Sequence, residues 1–353
     1  YNNVVTRIIE KKKIEEKYLR KGDIVIEKSG GSDKQPVGRV VYFDGPENTY
    51  LFNNFTGLLR VKDQAKWYPR YVFYSLFSNY HRGGTRAFQN KTTGLHNLKI
   101  DDFVSRCEVT EAGINEQIAA CKRMDRVNDI IRMHQQQLQK LDELVKARFV
   151  ELFGDPATNP YGWQQLTVND VCVSVVRGPF GSALKKEFFV PPSDTTYKVY
   201  EQKHAIQKSS TIGTYYVTAE KYNELRRFEC HSGDILMSCS GTMGELYQLP
   251  AGCERGIINQ ALCKFTLNER ILPIVFLAYM RETIGNLETK GSGIQNIAAV
   301  SYVKAMPINL PPMRVQEQYA TFVEQTDKSK VAVQKALDKA QLLFDSLMQK
   351  YFG

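Results

Sequence analysis

The features of the first half of this chain recur in the second half in the same order. Tyr18-Leu19-Arg20-Lys21-Gly22-Asp23-Ile24-Val25 is answered by Phe228-Glu229-Cys230-His231-Ser232-Gly233-Asp234-Ile235-Leu236. Gly94-Leu95-His96-Asn97-Leu98 is answered by Gly293-Ile294-Gln295-Asn296-Ile297, and Glu116-Gln117-Ile118 by Glu317-Gln318-Tyr319. Each half closes on a long apolar-periodic segment ending in Phe153-Gly154 or Phe352-Gly353. A repeat of roughly 200 residues is too long for a solenoid unit and predicts two similar domains, each followed by a similar helix.

Ile114 to Leu152 contains no proline, and the nearest glycine is Gly113 just before it, so the spacing predicts a helix of ~39 residues and ~58 Å. Its apolar positions Val127, Ile131, (His134), Leu138, Leu141 and Val145 alternate by four and three, which is the period of a coiled-coil seam. A second helix is expected after Pro311-Pro312, running to about Tyr351. Its seam is Val323, Thr326, Lys330, Val333, Leu337, Ala340, Phe344, Leu347 and Tyr351. Pairing the two helices antiparallel buries both seams and satisfies the connectivity. Gly154 to Trp163 is dense in helix breakers and reads as a linker.

Between these helices lie short β-rich runs: Ile24 to Ile26, Gly38 to Phe43, Leu58 to Val61, Val171 to Val176 and Leu262 to Leu267. Short apolar helical stretches, Tyr71 to Phe77 and Pro273 to Met280, accompany them. The expected class is α+β: two mixed α/β domains with small twisted sheets, separated by two long antiparallel helices forming a coiled coil. The division is 1–110, 111–154, 155–310 and 311–353. About 78 residues separate Gly154 from Gly233 but only 21 precede Gly22, so the first domain is expected to lack the counterpart of about Asp155 to Thr211. A preceding segment outside this sequence is the favoured explanation.

With 353 residues and 42% hydrophobic content, each domain can have its own core. The seven cysteines show no C-x-x-C pair, which fits reduced thiols, and no apolar run reaches the ~18 to 20 residues of a membrane span, so a cytoplasmic protein is expected. The net charge of +9 is uneven. Residues 1–110 carry 19 Lys/Arg against 12 Asp/Glu, a balance of +7; residues 155–310 carry 15 against 14, or +1. A basic first domain suits a polyanion.

Catalytic patterns are missing: there is no phosphate loop, no G-x-G-x-x-G after a strand, no H-E-x-x-H and no G-x-S-x-G elbow. Asn159-Pro160-Tyr161 lacks the second proline of the adenine-methyltransferase motif and reads as a turn. What remains are glycine-rich polar loops: Arg177 to Lys186, Tyr200 to His204, Ser238 to Gly244, Gly256 to Gln260 and, in the first half, Ser29 to Lys34. They carry the side chains that read base edges, Arg and Lys on guanine, Asn and Gln on adenine, Ser and Thr on either.

Several stretches together resemble one family. They are the helix entry Leu310-Pro311-Pro312-Met313-Arg314-Val315-Gln316-Glu317-Gln318, the exit Phe149-Val150-Glu151-Leu152-Phe153-Gly154-Asp155-Pro156 with Gly162-Trp163 after it, and Gly178-Pro179-Phe180-Gly181-Ser182-Ala183-Leu184-Lys185. Their order and duplication over essentially the whole chain look like the DNA specificity subunit of type I restriction-modification systems. The first helix departs from that pattern, entering through Thr110-Glu111-Ala112-Gly113 without paired prolines.

The resemblance implies a non-catalytic, cofactor-free chain whose two target recognition domains each read half of a bipartite target in double-stranded DNA. Its helices would set the gap and dock two modification (methyltransferase) subunits, with restriction (translocase) subunits joining through them. S-adenosylmethionine would belong to the modification subunits, and ATP and Mg to the restriction subunits. The DNA-contact candidates it implies are Lys28, Ser29, Ser32, Lys34, Arg86, Lys91 and His96 in the first domain. In the second they are Arg177, Ser182, Lys185, Lys186, Gln202, Lys203, Ser240, Thr242, Asn259 and Gln260. The competing expectation is a coiled-coil protein-interaction scaffold without sequence-specific DNA binding.

Overall fold

Ile24 and Ile26 are fully buried while Val25 and Glu27 are less so, the period-two pattern of a strand with one face in a core. They form β1 (Ile24–Glu27), followed by β2 (Ser29–Gly31), β3 (Val40–Tyr42), β4 (Thr56–Leu59), α1 (Pro69–His81), β5 (Gln89–Thr92), β6 (Leu95–Leu98), α2 (Ile100–Arg106) and the long α3 (Ile114–Phe153). The computed structural model describes residues 4–8, 14, 17–92, 95–284 and 300–353, so Gly94 and the stretch from Gly293 to Ile297 lie outside the described residues. The chain divides into two compact units, Tyr1–Leu138 with Val331–Gly353, and Gln139–Lys330.

In the first unit, β3-β1-β4 and β2-β6-β5 form two antiparallel three-stranded sheets. Ile24, Ile26, Val37, Val40, Leu76, Leu98 and Phe103 fill the core between the strands, α1 and α2. The second unit comprises β7 (Gln164–Thr167), β8 (Cys172–Arg177), β9 (Thr196–Tyr200), α4 (Gln202–Ile206), β10 (Tyr216–Thr218), α5 (Ala219–Glu224), β11 (Glu229–Cys230) and β12 (Ile235–Ser238). It continues through β13 (Leu246–Gln248), β14 (Gly256–Ile258), β15 (Leu262–Leu267), α6 (Pro273–Thr283), α7 (Val300–Lys304), β16 (Pro307–Leu310) and α8 (Met313–Phe352). Its sheets are β13-β12-β15-β8, β10-β9-β14-β11 and the pair β16-β7, antiparallel except where β14 runs parallel to β9. Both units are mixed α+β with small sheets.

Both long helices contribute to each unit, and within each they run antiparallel. In the first, Arg123 donates to the Tyr351 hydroxyl at 2.5 Å while Val127 and Ile131 pack with Leu337, Ala340 and Phe344. In the second, Lys330 meets Asp142 at 2.7 Å, and Phe153 meets Tyr319 edge-on with ring centroids 5.1 Å apart. Every seam position expected from the heptad spacing is buried or half-buried. Met348 and Phe352, which that spacing leaves out, are buried as well.

The duplication extends to single hydrogen bonds. Gly22 and Gly233 both stand at positive φ, +95° and +89°, and donate to Phe43 and Leu249 carbonyls at 2.9 Å in each case. Asp23 and Asp234, 1% and 2% exposed, each accept the backbone N–H three residues back, from Arg20 at 2.7 Å and His231 at 2.8 Å. Each also holds a cation from the neighbouring strand or its end, Arg60 at 2.6 Å and Lys264 at 3.1 Å.

The helix register differs from the one that matching Glu116-Gln117 with Glu317-Gln318 implies. Gln117 accepts the Tyr68 N–H at 2.9 Å and donates to the Lys66 and Ala112 carbonyls at 3.0 and 2.8 Å. Its counterpart by contact is Gln316, which accepts the Leu272 N–H at 2.9 Å and donates to Arg270 and Pro311 at 2.9 and 3.0 Å. Both glutamines tie a long helix to the entry of α1 or α6 and are essentially fully buried. Gln316→Ala leaves three buried backbone groups unpaired and is expected to cost about 1–3 kcal/mol in urea unfolding. A loss under about 0.5 kcal/mol, the level of a neutral surface change, would contradict that role.

Candidate nucleic-acid interface

Four loops of the second unit meet at one end of its sheets. The first leaves β8 through Arg177, whose guanidinium lies 5.0 Å from the centre of the Phe180 ring. Gly178 follows, and a Cβ there would sit 1.9 Å from the Asn259 carbonyl oxygen, so only glycine lets the loop from Arg177 to Ser182 lie against the turn at Asn259 and Gln260. That turn is closed by the Asn259 side chain accepting the Ala261 N–H at 3.1 Å. Its backbone is tied to the end of β9 by Asn259 N–H on Tyr200 O at 2.9 Å, and to the β12–β13 hairpin by Cys239 N–H on Ala261 O at 2.8 Å. The hairpin carries Ser240 and Thr242, and a Cβ on its Gly241 would lie 3.8 Å from Gln202 Nε2.

Arg177, Gln202, Ser240, Thr242, Asn259 and Gln260 are thus brought together, with Ser182 exposed on the same loop as Arg177. Gln260, Ser182 and Thr242 face solvent, whereas Gln202 is half-buried with its Oε1 shielded. Lys185, Lys186 and Lys203 are placed differently. Lys185 lies 3.6 Å from Glu187. Lys186 is exposed at the start of a short 3₁₀ turn. Lys203 pairs with Glu201 at 2.5 Å and lies 5.3 Å from the Tyr215 ring centre.

Buried His204 holds the start of α4 in place. Its Nε2–H donates to Ile212 O at 2.7 Å, which leaves Nδ1 to accept the Glu201 N–H at 2.9 Å. Burial pushes its pKa below the usual 6.5, opposed by the nearby Glu201 and Ile212 carbonyl oxygens, which favour the protonated ring. The unfolded chain therefore takes the proton more readily, so the stability this histidine contributes is present above about pH 6.5 and is lost as pH falls through the lower folded value. Thermal unfolding from pH 7.5 to 5 is expected to show a steeper loss for the natural chain than for His204→Gln. Parallel slopes would contradict it.

The first unit repeats the turn with different residues. Asn53 Oδ1 accepts the Phe55 N–H at 3.0 Å, and Phe55 O accepts Lys28 N–H at 2.7 Å, just as Ala261 O accepts Cys239 N–H. Strand register agrees: Thr56 pairs with Glu27 where Leu262 pairs with Ser238. Asn53, Asn54 and Phe55 are exposed here, beside Lys28 and Ser29, and none was singled out from the sequence. The pair of asparagines before a β-run was the available signal. Five extra residues between β1 and β4 hid the correspondence: Glu27 to Thr56 spans 29 positions, Ser238 to Leu262 only 24.

Ser32 and Lys34 are exposed on an adjoining turn closed by Ser32 N–H on Gln35 O at 2.7 Å. Tyr80 fastens that loop by donating to Pro36 O at 3.0 Å, and Gln89 by donating to Val37 O at 3.3 Å. Arg86 is exposed in a short 3₁₀ turn next to Thr85, which abuts Gly38. His96 is not presented to solvent. It is 7% exposed, with Nδ1 3.1 Å from Gln89 Oε1 and Nε2 3.7 Å from Asp33, so its part is to hold the turn. The Lys91 backbone pairs with His96, and its side chain lies outside the described residues.

Among the described residues there is no group of three or more potential metal ligands, and no helix long and apolar enough to cross a membrane. No curated protein matches the sequence. The fold is similar to a chain from a solved structure concerned with complex assembly and conformational transition of the type I R-M system, with TM-score 0.61 and 14% identity over 95% of this chain and 82% of that one. It is also similar to the crystal structure of a type I restriction-modification S subunit from M. genitalium, with TM-score 0.55 and 16% identity over 96% of this chain and 85% of the other. At such identities the likeness is one of fold. A family model described as the type I restriction modification DNA specificity domain matches residues 160–342, just over half of the chain. The chain belongs to the type I restriction modification DNA specificity domain family, whose work is recognition of DNA sequence.

Proposed function

We propose that this chain is the sequence-reading subunit of a type I restriction-modification complex and that it reads a bipartite target, one half-site with residues 1–110 and the other with 155–310. The observation that carries this is the duplicated Asx turn. Asn53 and Asn259 each close a turn that is hydrogen-bonded to the residue just beyond the end of β1 or β12. Two copies of one reading element with different exposed side chains suit two different half-sites. Gln260 with Arg177 offers the vocabulary for adenine and guanine in one, Asn54 with Lys28 in the other. The balance of +7 over residues 1–110 adds a phosphate term.

The helical segments 111–154 and 311–353 set the gap and dock two modification subunits, with restriction subunits attached through them. Support comes from apolar side chains left open on the helices, Met133 at 48%, Leu144 at 49%, Leu342 at 70% and Leu343 at 50% exposed. In this reading the chain catalyses nothing. The methyl donor S-adenosylmethionine is held by the modification subunits, ATP and Mg by the restriction subunits, and the complex works in the cytoplasm.

Affinity for duplex DNA measured against salt tests the reading. With several phosphates neutralised, log K is expected to fall linearly with log salt at a slope of about −0.9 per phosphate. A flat dependence would contradict DNA binding and favour a protein-interaction scaffold. Replacing Gln202 and Lys203 together separates base reading from phosphate contact, since the first relaxes preference in one half-site and the second weakens all sequences alike.

A further inference from the structure

We propose that Phe55 and Phe180 are aromatic wedges that stack on, or insert between, base pairs of the bound duplex, one in each half-site. The inference rests on the DNA-reading function and deepens it. Phe55 is 52% exposed and Phe180 63% exposed, in a chain whose other phenylalanines are all buried or half-buried. Both rings stand beside the duplicated Asx turn, although they arrive from different loops. Phe55 belongs to the turn closed by Asn53. Phe180 stands 5.0 Å from the guanidinium of Arg177, whose Nε donates to Gln260 O at 3.4 Å, and follows Gly178, which lies flush against Asn259.

Both rings spring from anchored backbone. The backbone of Phe55 is held on both sides, its N–H by Asn53 Oδ1 at 3.0 Å and its carbonyl by the N–H groups of Lys28 and Ser29 at 2.7 and 3.2 Å. Phe180 follows buried Pro179 and Gly178, whose N–H is held by Leu262 O at 3.0 Å, so its loop leaves from an anchored stretch. An apolar ring that leaves water only on binding, carried on backbone that is already anchored, loses less conformational entropy than one on a free loop. Phenylalanine serves as such a wedge where proteins unstack a base step, and the π face accepts any base. Arg177, 5.0 Å from the Phe180 ring centre, brings a cation to the phosphates or base edges next to the opened step.

The experiment uses the full chain and a duplex selected from random DNA, with 2-aminopurine placed in turn at each position. On binding, fluorescence is expected to rise at one step in each half-site. Phe180→Ala should abolish the rise in one half and Phe55→Ala in the other, each weakening binding about tenfold, the scale of one lost base–aromatic stack, with the salt slope unchanged. Phe180→Trp should keep the signal. Alanine variants that bind with natural affinity and the natural fluorescence profile overturn the wedge while leaving DNA reading intact. A natural chain with no salt-dependent, sequence-selective binding overturns both.

Discussion

Asp234→Ala is expected to destabilise the second unit by about 3–5 kcal/mol, because it leaves a lysine charge in the core with no counter-ion. Asp234 is 2% exposed and Lys264 is 5% exposed. Both oxygens of the carboxylate are committed: Oδ2 to Lys264 Nζ at 3.1 Å and His231 N–H at 2.8 Å, Oδ1 to the Thr266 hydroxyl at 2.6 Å. Truncation removes all three bonds. The equivalent change Asp23→Ala should cost less, about 1–3 kcal/mol, since the Arg60 side chain is 32% exposed and water can take over part of its solvation. Urea unfolding of the two variants checks both size and order. Adding Lys264→Met to Asp234→Ala should restore much of the loss, and equal losses for Asp23→Ala and Asp234→Ala would contradict the argument from burial.

Gly178→Ala is expected to have the largest effect on recognition. The new Cβ would meet backbone only: Asn259 O at 1.9 Å, its carbonyl carbon at 2.3 Å and Gln260 N at 2.9 Å. No rotamer relieves a backbone collision, so the turn bearing Asn259 and Gln260 must move away from Arg177 and Phe180. The expected cost is about 1–3 kcal/mol of stability, the usual range for an overpacked site. Discrimination should fall by about tenfold or more in the half-site read by that turn, the value of one well-formed base contact, with the other half-site unchanged. Glu220→Ala, exposed on α5 and outside these loops, serves as the comparison and should change far less. Binding measured on duplexes altered in one half at a time reads the difference. Equal loss in both halves would mean that the turn does not serve one half-site.

Much of the architecture is legible in the residues because it depends on short-range periodicity. The seam from Val127 to Val145 and the seam from Val323 to Tyr351 follow from a 3-4 spacing that only a long helix satisfies, and the helices run Ile114–Phe153 and Met313–Phe352. Short strands are visible as β-branched runs, although their ends move: Gly38 to Phe43 becomes Val40–Tyr42, and Leu58 to Val61 becomes Thr56–Leu59. Hydrogen bonds across the fold, not the local pattern, decide where pairing stops.

The site was harder to see. Loop composition pointed to Arg177, Ser240, Asn259 and Gln260, and the structure brings them together. It could not show that Gln117 corresponds to Gln316, because a matching dipeptide two residues away on a helix is the stronger signal in one dimension, while the bonds to Tyr68 and Leu272 exist only in three. Asn53 and Phe55 were hidden by unequal hairpin lengths. His96 looked like a surface donor, yet its neighbours Gln89 and Asp33 cover it. Composition does not say which polar residue a loop keeps for itself.

The most direct test of two readers in one chain is selection of bound sites from random DNA by the full chain with its modification subunits, repeated with Gln260→Ala and Asn54→Ala. The account predicts two short conserved blocks separated by a gap of constant length, with each variant relaxing a different block. A single continuous block, no enriched sequence, or two variants that relax the same block would contradict it.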